Sequence, residues 1–276
     1  MESVTSLRMP QILYGTAWKK SDTERLVAAA LRLGFRGIDT ACQPKHYEEP
    51  GVGAAVAAAL ATGRIARQDL YLQTKFTPVS GQDALRVPYD PRAPVADQVA
   101  QSFEVSLRNL RTDYVDGLVL HSPLPTERLT NEAWRAMELV AMAGKARQLG
   151  VSNCYQIQQL DAIYTAARVK PAVLQNRFCA ETRYDHGLRE YCREHGIVYQ
   201  SFWTLTANPQ IPGHHAVTDL AERYQRTAAQ LLFRYLTQIG VVPLTGTRSE
   251  AHMREDLAIF EFQLADTELA RLGALF

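Results

Sequence analysis

Eight short runs with the composition of buried strands recur along the chain, and stretches of helical period or small residues separate them. The runs cover 12–16, 35–40, 70–74, 114–121, 146–153, 172–176, 197–203 and 241–247. Between them the pattern predicts helices over 24–33, 51–60, 97–110, 131–143, 157–168 and 187–195. A pair then ends at 220 and spans 228–238, and the last clear helix covers 252–260. Asp22 is positioned to cap the first helix, and Gly34, Gly144 and Gly196 stand where three of them stop. Near-continuous apolar strands joined by short connections pair in parallel and need helices to cover them. The expected fold is therefore α/β: a (β/α)8 TIM barrel with an extra helix near the C-terminus, residues 1–276 forming one domain. The rival is an open doubly wound sheet. That fold usually carries a Gly-rich turn after its first strand, and here the strand runs into Thr16-Ala17-Trp18-Lys19-Lys20 instead.

Composition narrows the function. The net charge is +1 over 276 residues, with no basic block to suggest nucleic acid. No apolar run approaches the roughly 20 residues of a membrane span, so no membrane partner is expected. The first residues lack a basic-then-apolar leader pattern, and the expectation is a cytoplasmic protein. Cys42, Cys154, Cys179 and Cys192 show no zinc-like spacing, so they read as reduced thiols and no metal is expected. Cys42 and Cys154 each follow a candidate site residue and read as bystanders in the pocket. The balanced charge permits a monomer or weak homodimer.

A parallel barrel collects the carboxyl ends of its strands on one face, where sites are built. Several runs end there in reactive side chains: Asp39, Lys75, His121 and the pair Ser152-Asn153, with Tyr47 shortly after the second run. A carboxylate at the end of a buried strand is costly unless paired. A tyrosine hydroxyl can give a proton to a carbonyl oxygen, although its free pKa is about 10. An ammonium such as Lys75 favours the phenolate and lowers that value. Asp39 can hold Lys75, and His121 can position the carbonyl oxygen. A bound hydride donor is the missing part. Taken singly, each residue has a plainer role: a cap for Asp39, a solvated charge for Lys75, a backbone-bonded imidazole for His121, a packed ring for Tyr47.

The segments GIDTA, TKF, LVLHSP, LGVSN and LQN, in this order over nearly the whole chain, resemble the aldo-keto reductase family. The resemblance implies a barrel that uses NADPH, with NADH possible, on a small-molecule carbonyl substrate. It implies a catalytic tetrad of Asp39, Tyr47, Lys75 and His121. It implies a nicotinamide site of Ser152, Asn153 and Gln175 with Phe202 as the stacking ring. Gly15, Thr16, Ala17 and Asp39 belong to the cofactor set. So do Leu205 and Thr206, which with Ala207 and Asn208 stand where the family loop covers the pyrophosphate.

Three departures matter. Tyr47 lies further from Asp39 than in the family, and counting back from Val52-Gly53 puts His46 at the usual position; the inserted Gln43-Pro44-Lys45 can absorb the shift, and Glu48 replaces the usual Asn. The phosphate-binding lysine of the eighth strand is Leu244 here. The following Thr245-Gly246-Thr247-Arg248, with His252 and Asp256, resembles a GT-type variant in which Arg248 and His252 meet a 2′-phosphate. The long C-terminal loop is mostly absent, which leaves substrate selection to Trp18, the 76–94 loop and Trp203, with His46, Tyr47, Phe76 and His121 nearby. A wide pocket for a bulky carbonyl is expected.

The leading expectation is an NADPH-dependent carbonyl reductase. An alternative is a dehydratase, isomerase or cyclase that reuses the same acid–base pocket. A third is a cofactor-sensing regulatory subunit, since fold alone does not settle function.

Overall fold

The computed structural model describes residues 9–276. The stretch read above for a leader pattern lies mostly outside these residues. Eight parallel strands close into a barrel in chain order. They are β1 (Leu13–Gly15), β2 (Gly37–Asp39), β3 (Tyr71–Phe76), β4 (Val115–Leu120), β5 (Ala146–Ser152), β6 (Val173–Arg177), β7 (Val198–Phe202) and β8 (Val242–Thr245). Closure is carried by β1 against β8, with Leu13 opposite Leu244 and Tyr14 opposite Thr245. Helices ring the outside: α1 (Thr23–Leu33), α2 (Glu49–Ala61), α3 (Val95–Leu110), α4 (Glu127–Met142), α5 (Ile157–Ala166), α6 (His186–His195), α7 (His215–Tyr224), α8 (Ala228–Gln238), α9 (Glu250–Leu257) and α10 (Asp266–Gly273). Among the described residues no helix is long and apolar enough to cross a membrane.

The core lies between the barrel wall and these helices. Leu26, Val27 and Ala30 on one face of α1 are all buried, as are Phe103 and Leu110 on α3 and Trp134 and Met137 on α4. Several helices carry their own caps, including the Thr227 hydroxyl on the Gln230 amide at α8. Glu48 caps α2 through the amide of Gly51, at 2.7 Å. Asp22 occupies the first N-cap but makes no cap hydrogen bond. Its carboxylate instead meets Arg25 at 3.2 Å and Arg248 at 2.8 Å.

The tail is more structured than its sequence suggested. After β8 the chain forms α9 and then α10, and Phe276 packs its ring against Phe178, Tyr184 and Tyr235 at centroid distances of 5.2, 5.0 and 5.3 Å. The short apolar face of α10, with Leu272 fully buried, is legible only once that aromatic cluster exists. Neither α10 nor Phe276 reaches the main cavity.

Candidate active site

A cavity of about 790 Å³ opens at the carboxyl ends of the strands. Beneath it lies Asp39, the last residue of β2. Lys75 on β3 donates to both Asp39 oxygens, at 2.7 and 2.6 Å, and to the Thr40 carbonyl at 2.8 Å. Asp39 Oδ1 also accepts from Gln73 at 2.7 Å and from Gln175 at 3.0 Å. Gln200 completes a polar layer across the barrel, accepting from Gln73 and Gln175, both at 2.8 Å, and donating back to Gln73 at 3.0 Å. This layer answers the cost of burying an ion pair, because every charged atom has hydrogen-bond partners.

Tyr47 and His121 stand above the pair. Their rings are 5.9 Å apart, edge to face, and the Lys75 ammonium sits 5.3 Å from the Tyr47 ring centre. The inserted Gln43-Pro44-Lys45 forms a tight turn in which the Gln43 carbonyl accepts from the His46 and Tyr47 amides, at 3.1 and 3.0 Å. That turn carries Tyr47 over Lys75. It sends His46 sideways onto Trp18, ring centres 3.7 Å apart. His121 holds its Nδ1 against the Thr77 hydroxyl at 2.7 Å, so Nε2 is the nitrogen left for a carbonyl oxygen. Burial, with Lys75 and His46 beside it, drives the His121 pKa down to about 3.

Lys75 does not lower the Tyr47 pKa here, contrary to the sequence-based expectation. Its three hydrogens face Asp39 and Thr40, whereas burial and then the Asp39 charge push the Tyr47 hydroxyl upward. Tyr47 is firmly protonated, the form an acid needs before it acts.

Ser152, Asn153, Gln175 and Phe202 line the cavity near this group. Both Gln175 N–H groups are engaged by Asp39 and Gln200, which leaves its Oε1 to accept. Asn153 donates to the His121 carbonyl at 2.8 Å. Amide and hydroxyl groups of this kind suit a carboxamide, which both donates and accepts. Gly15, Ala17, Leu205, Thr206, Thr245, Gly246, Thr247, Arg248, His252 and Asp256 continue the lining toward β8 and α9. The Asp256 carboxyl accepts from the Thr245 hydroxyl at 2.7 Å, and burial raises its pKa to about 6. Arg248 is already clasped, to Asp22 at 2.8 Å and to the Trp18 and Lys19 carbonyls at 2.9 and 3.3 Å.

Some expected residues do not reach the cavity. Thr16 is fully buried, with its amide and hydroxyl both on the Asp39 carbonyl, at 3.0 and 2.9 Å. Phe76 turns outward into the core against Tyr89, ring centres 5.6 Å apart. The 76–94 loop is absent from the cavity wall too. Gln82 bonds the Cys42 carbonyl at 2.9 Å, Gln43 the Gly81 carbonyl at 2.6 Å and Tyr89 the Thr77 carbonyl at 2.7 Å, so the loop is pinned beside β3. Cys42 and Cys154 are buried outside the main cavity, and burial pushes both thiols up to about 12. Asn208 is buried and ties its loop to the Phe178 and Thr204 carbonyls, at 2.7 and 2.8 Å.

Other residues were missed. Lys19 is buried and lines the cavity, with its ammonium on the Gly246 carbonyl. Burial and the neighbouring Arg248 lower its pKa to about 8. It stood in plain view after the first strand, but nothing in its spacing separated it from Lys20. Arg177, one residue beyond the LQN segment, also lines the cavity.

Comparison with known proteins agrees with this architecture. Residues 11–275 match the Aldo/keto reductase family. The glyoxal reductase of Bacillus subtilis is 30% identical over 249 residues, 90% of this chain and 82% of that protein. The NADPH-dependent alpha-keto amide reductase of Saccharomyces cerevisiae is 28% identical over 283 residues, 95% of this chain and 84% of its own. The crystal structure of an aldo/keto reductase from Brucella melitensis superposes with a TM-score of 0.81 at 28% identity, covering 97% of this chain and 95% of that one. The match spans every strand of the barrel and the loops that build its cavity, and the chain belongs to the aldo/keto reductase family.

Proposed function

We propose that this oxidoreductase reduces a bulky aldehyde or ketone with NADPH, and that Tyr47 gives the proton. The observation that carries the reading is the gathering of Tyr47, His121 and the Asp39–Lys75 pair at one cavity that Lys19, Arg248 and His252 also line. Ser152, Asn153 and Gln175 would hold a nicotinamide carboxamide, with Phe202 presenting a ring face. The cations near β8 would meet phosphates. When bound, a reduced nicotinamide supplies a hydride, two electrons and one hydrogen, to the carbonyl carbon.

The protein supplies the rest. His121, neutral at working pH, orients the carbonyl oxygen through Nε2. Tyr47 releases its hydroxyl proton onto that oxygen as negative charge grows there, so an alcohol leaves and solvent reprotonates the phenolate. Lys75, held by Asp39, lies 5.3 Å from the Tyr47 ring centre and fixes that ring over the buried pair. The C-terminal helix packs away from the cavity, which favours a wide mouth between Trp18 and Trp203. The test is titration of the protein with NADPH and NADH, followed by tryptophan fluorescence. Saturable quenching that prefers NADPH supports the reading, and absence of binding by either nucleotide removes it.

A further inference from the structure

We propose that Arg177 is a substrate-specificity residue, and that the carbonyl compound reduced here carries a carboxylate or similar oxyanion that this guanidinium binds. The inference deepens, and rests on, the reductase reading above. Arg177 ends β6 and lines the cavity, in register with Phe202 on β7. Its guanidinium lies 4.5 Å over the Trp203 ring. It enters none of the ion pairs or side-chain hydrogen bonds of the described residues, and Glu181 acts on it only through space. Five N–H donors in a planar fork are therefore presented at the rim of a reactive pocket without a protein acceptor.

Its backbone is tied toward the catalytic group. The Arg177 amide donates to the Tyr155 hydroxyl at 3.2 Å, which donates to Asn153 at 3.2 Å, which donates to the His121 carbonyl at 2.8 Å. Arg177 thus lines the same cavity as His121 and is linked to it through Tyr155 and Asn153. The cations suited to cofactor phosphates belong to the loops after β1 and β8, where Lys19 bonds the Gly246 carbonyl and Arg248 the Lys19 carbonyl. Trp203 and Asn153 both hold left-handed backbone, φ 55° and 52°, which non-glycine residues adopt at a cost. Trp203 presents its ring face to the Arg177 guanidinium.

The test uses two probes of similar size, 4-carboxybenzaldehyde and its methyl ester, with the wild type, Arg177→Gln and Arg177→Lys. Binding to the NADP+-loaded protein is read by calorimetry and turnover by NADPH loss. The wild type is expected to bind the acid about tenfold more tightly than the ester, Arg177→Gln to lose that margin while holding the ester unchanged, and Arg177→Lys to recover part of it. Equal binding of acid and ester by the wild type overturns the inference, whether or not either is reduced. So does an Arg177→Gln that binds NADP+ more weakly and loses both probes together, because the fork would then serve the cofactor. Selective binding of the acid without turnover supports the anion site and counts against the reductase reading instead.

Discussion

In the proposed reaction Tyr47 carries the heaviest chemical demand of any residue in the cavity. Removing only its hydroxyl in Tyr47→Phe should cut kcat by about 10²–10⁴-fold while NADPH binding persists, checked by steady-state kinetics and fluorescence titration. A second expectation concerns His121. Its pKa falls from 6.5 to about 3 in the folded protein, so the unfolded chain takes up the proton first. The stability it contributes is full above pH 6.5 and is lost as pH drops from there toward 3. Its imidazole resonances should not titrate between about pH 5 and 8, and a mid-point near 6.5 by NMR would contradict the buried neutral ring. Choosing between His46 and Tyr47 was a matter of one residue in the sequence. A turn closed by Gln43 sets Tyr47 beside Lys75 and His46 against Trp18, and hydrogen bonds of that kind leave no periodic trace.

At the scale of elements, the strands set the site more than the loops do. Gln73, Gln175 and Gln200 come from three strands and meet inside the barrel around Asp39. Gln200→Leu should leave two buried N–H donors, one on Gln73 and one on Gln175, without an acceptor and cost about 2–3 kcal/mol, read from urea denaturation. The loop after β8 is bound to the loop after β1 through Arg248 and Asp22. Arg248→Ala should weaken NADPH binding by about fivefold or more while leaving NADH nearly unchanged, if the guanidinium exchanges Asp22 for a 2′-phosphate. Equal weakening of both nucleotides would make Arg248 a loop tie alone. The strand ends at Asp39, Lys75, His121 and Ser152 were legible because apolar runs stop abruptly at polar residues. The glutamine layer was not. Inward-facing polar residues within a strand look like ordinary alternation until the barrel closes and faces them toward each other. Thr16 and Phe76 failed for the same reason, since one step along a strand reverses the face.

The whole molecule is a closed barrel whose alternating pattern was readable throughout, except at its C-terminal end. There Phe276 joins Phe178, Tyr184 and Tyr235, contacts too distant in sequence to leave a local signal. Phe276→Ala should lower stability by about 1–2 kcal/mol without changing kcat. The central claim is that the cavity couples hydride uptake by a carbonyl carbon to proton release from Tyr47. It is tested most directly by counting NADPH oxidised against alcohol formed, for the wild type and Tyr47→Phe on the same bulky carbonyl. The account predicts one alcohol per NADPH for the wild type, and near-complete loss of turnover with cofactor binding intact for the variant. Product formed without NADPH loss, or a variant that turns over at the wild-type rate, would contradict it.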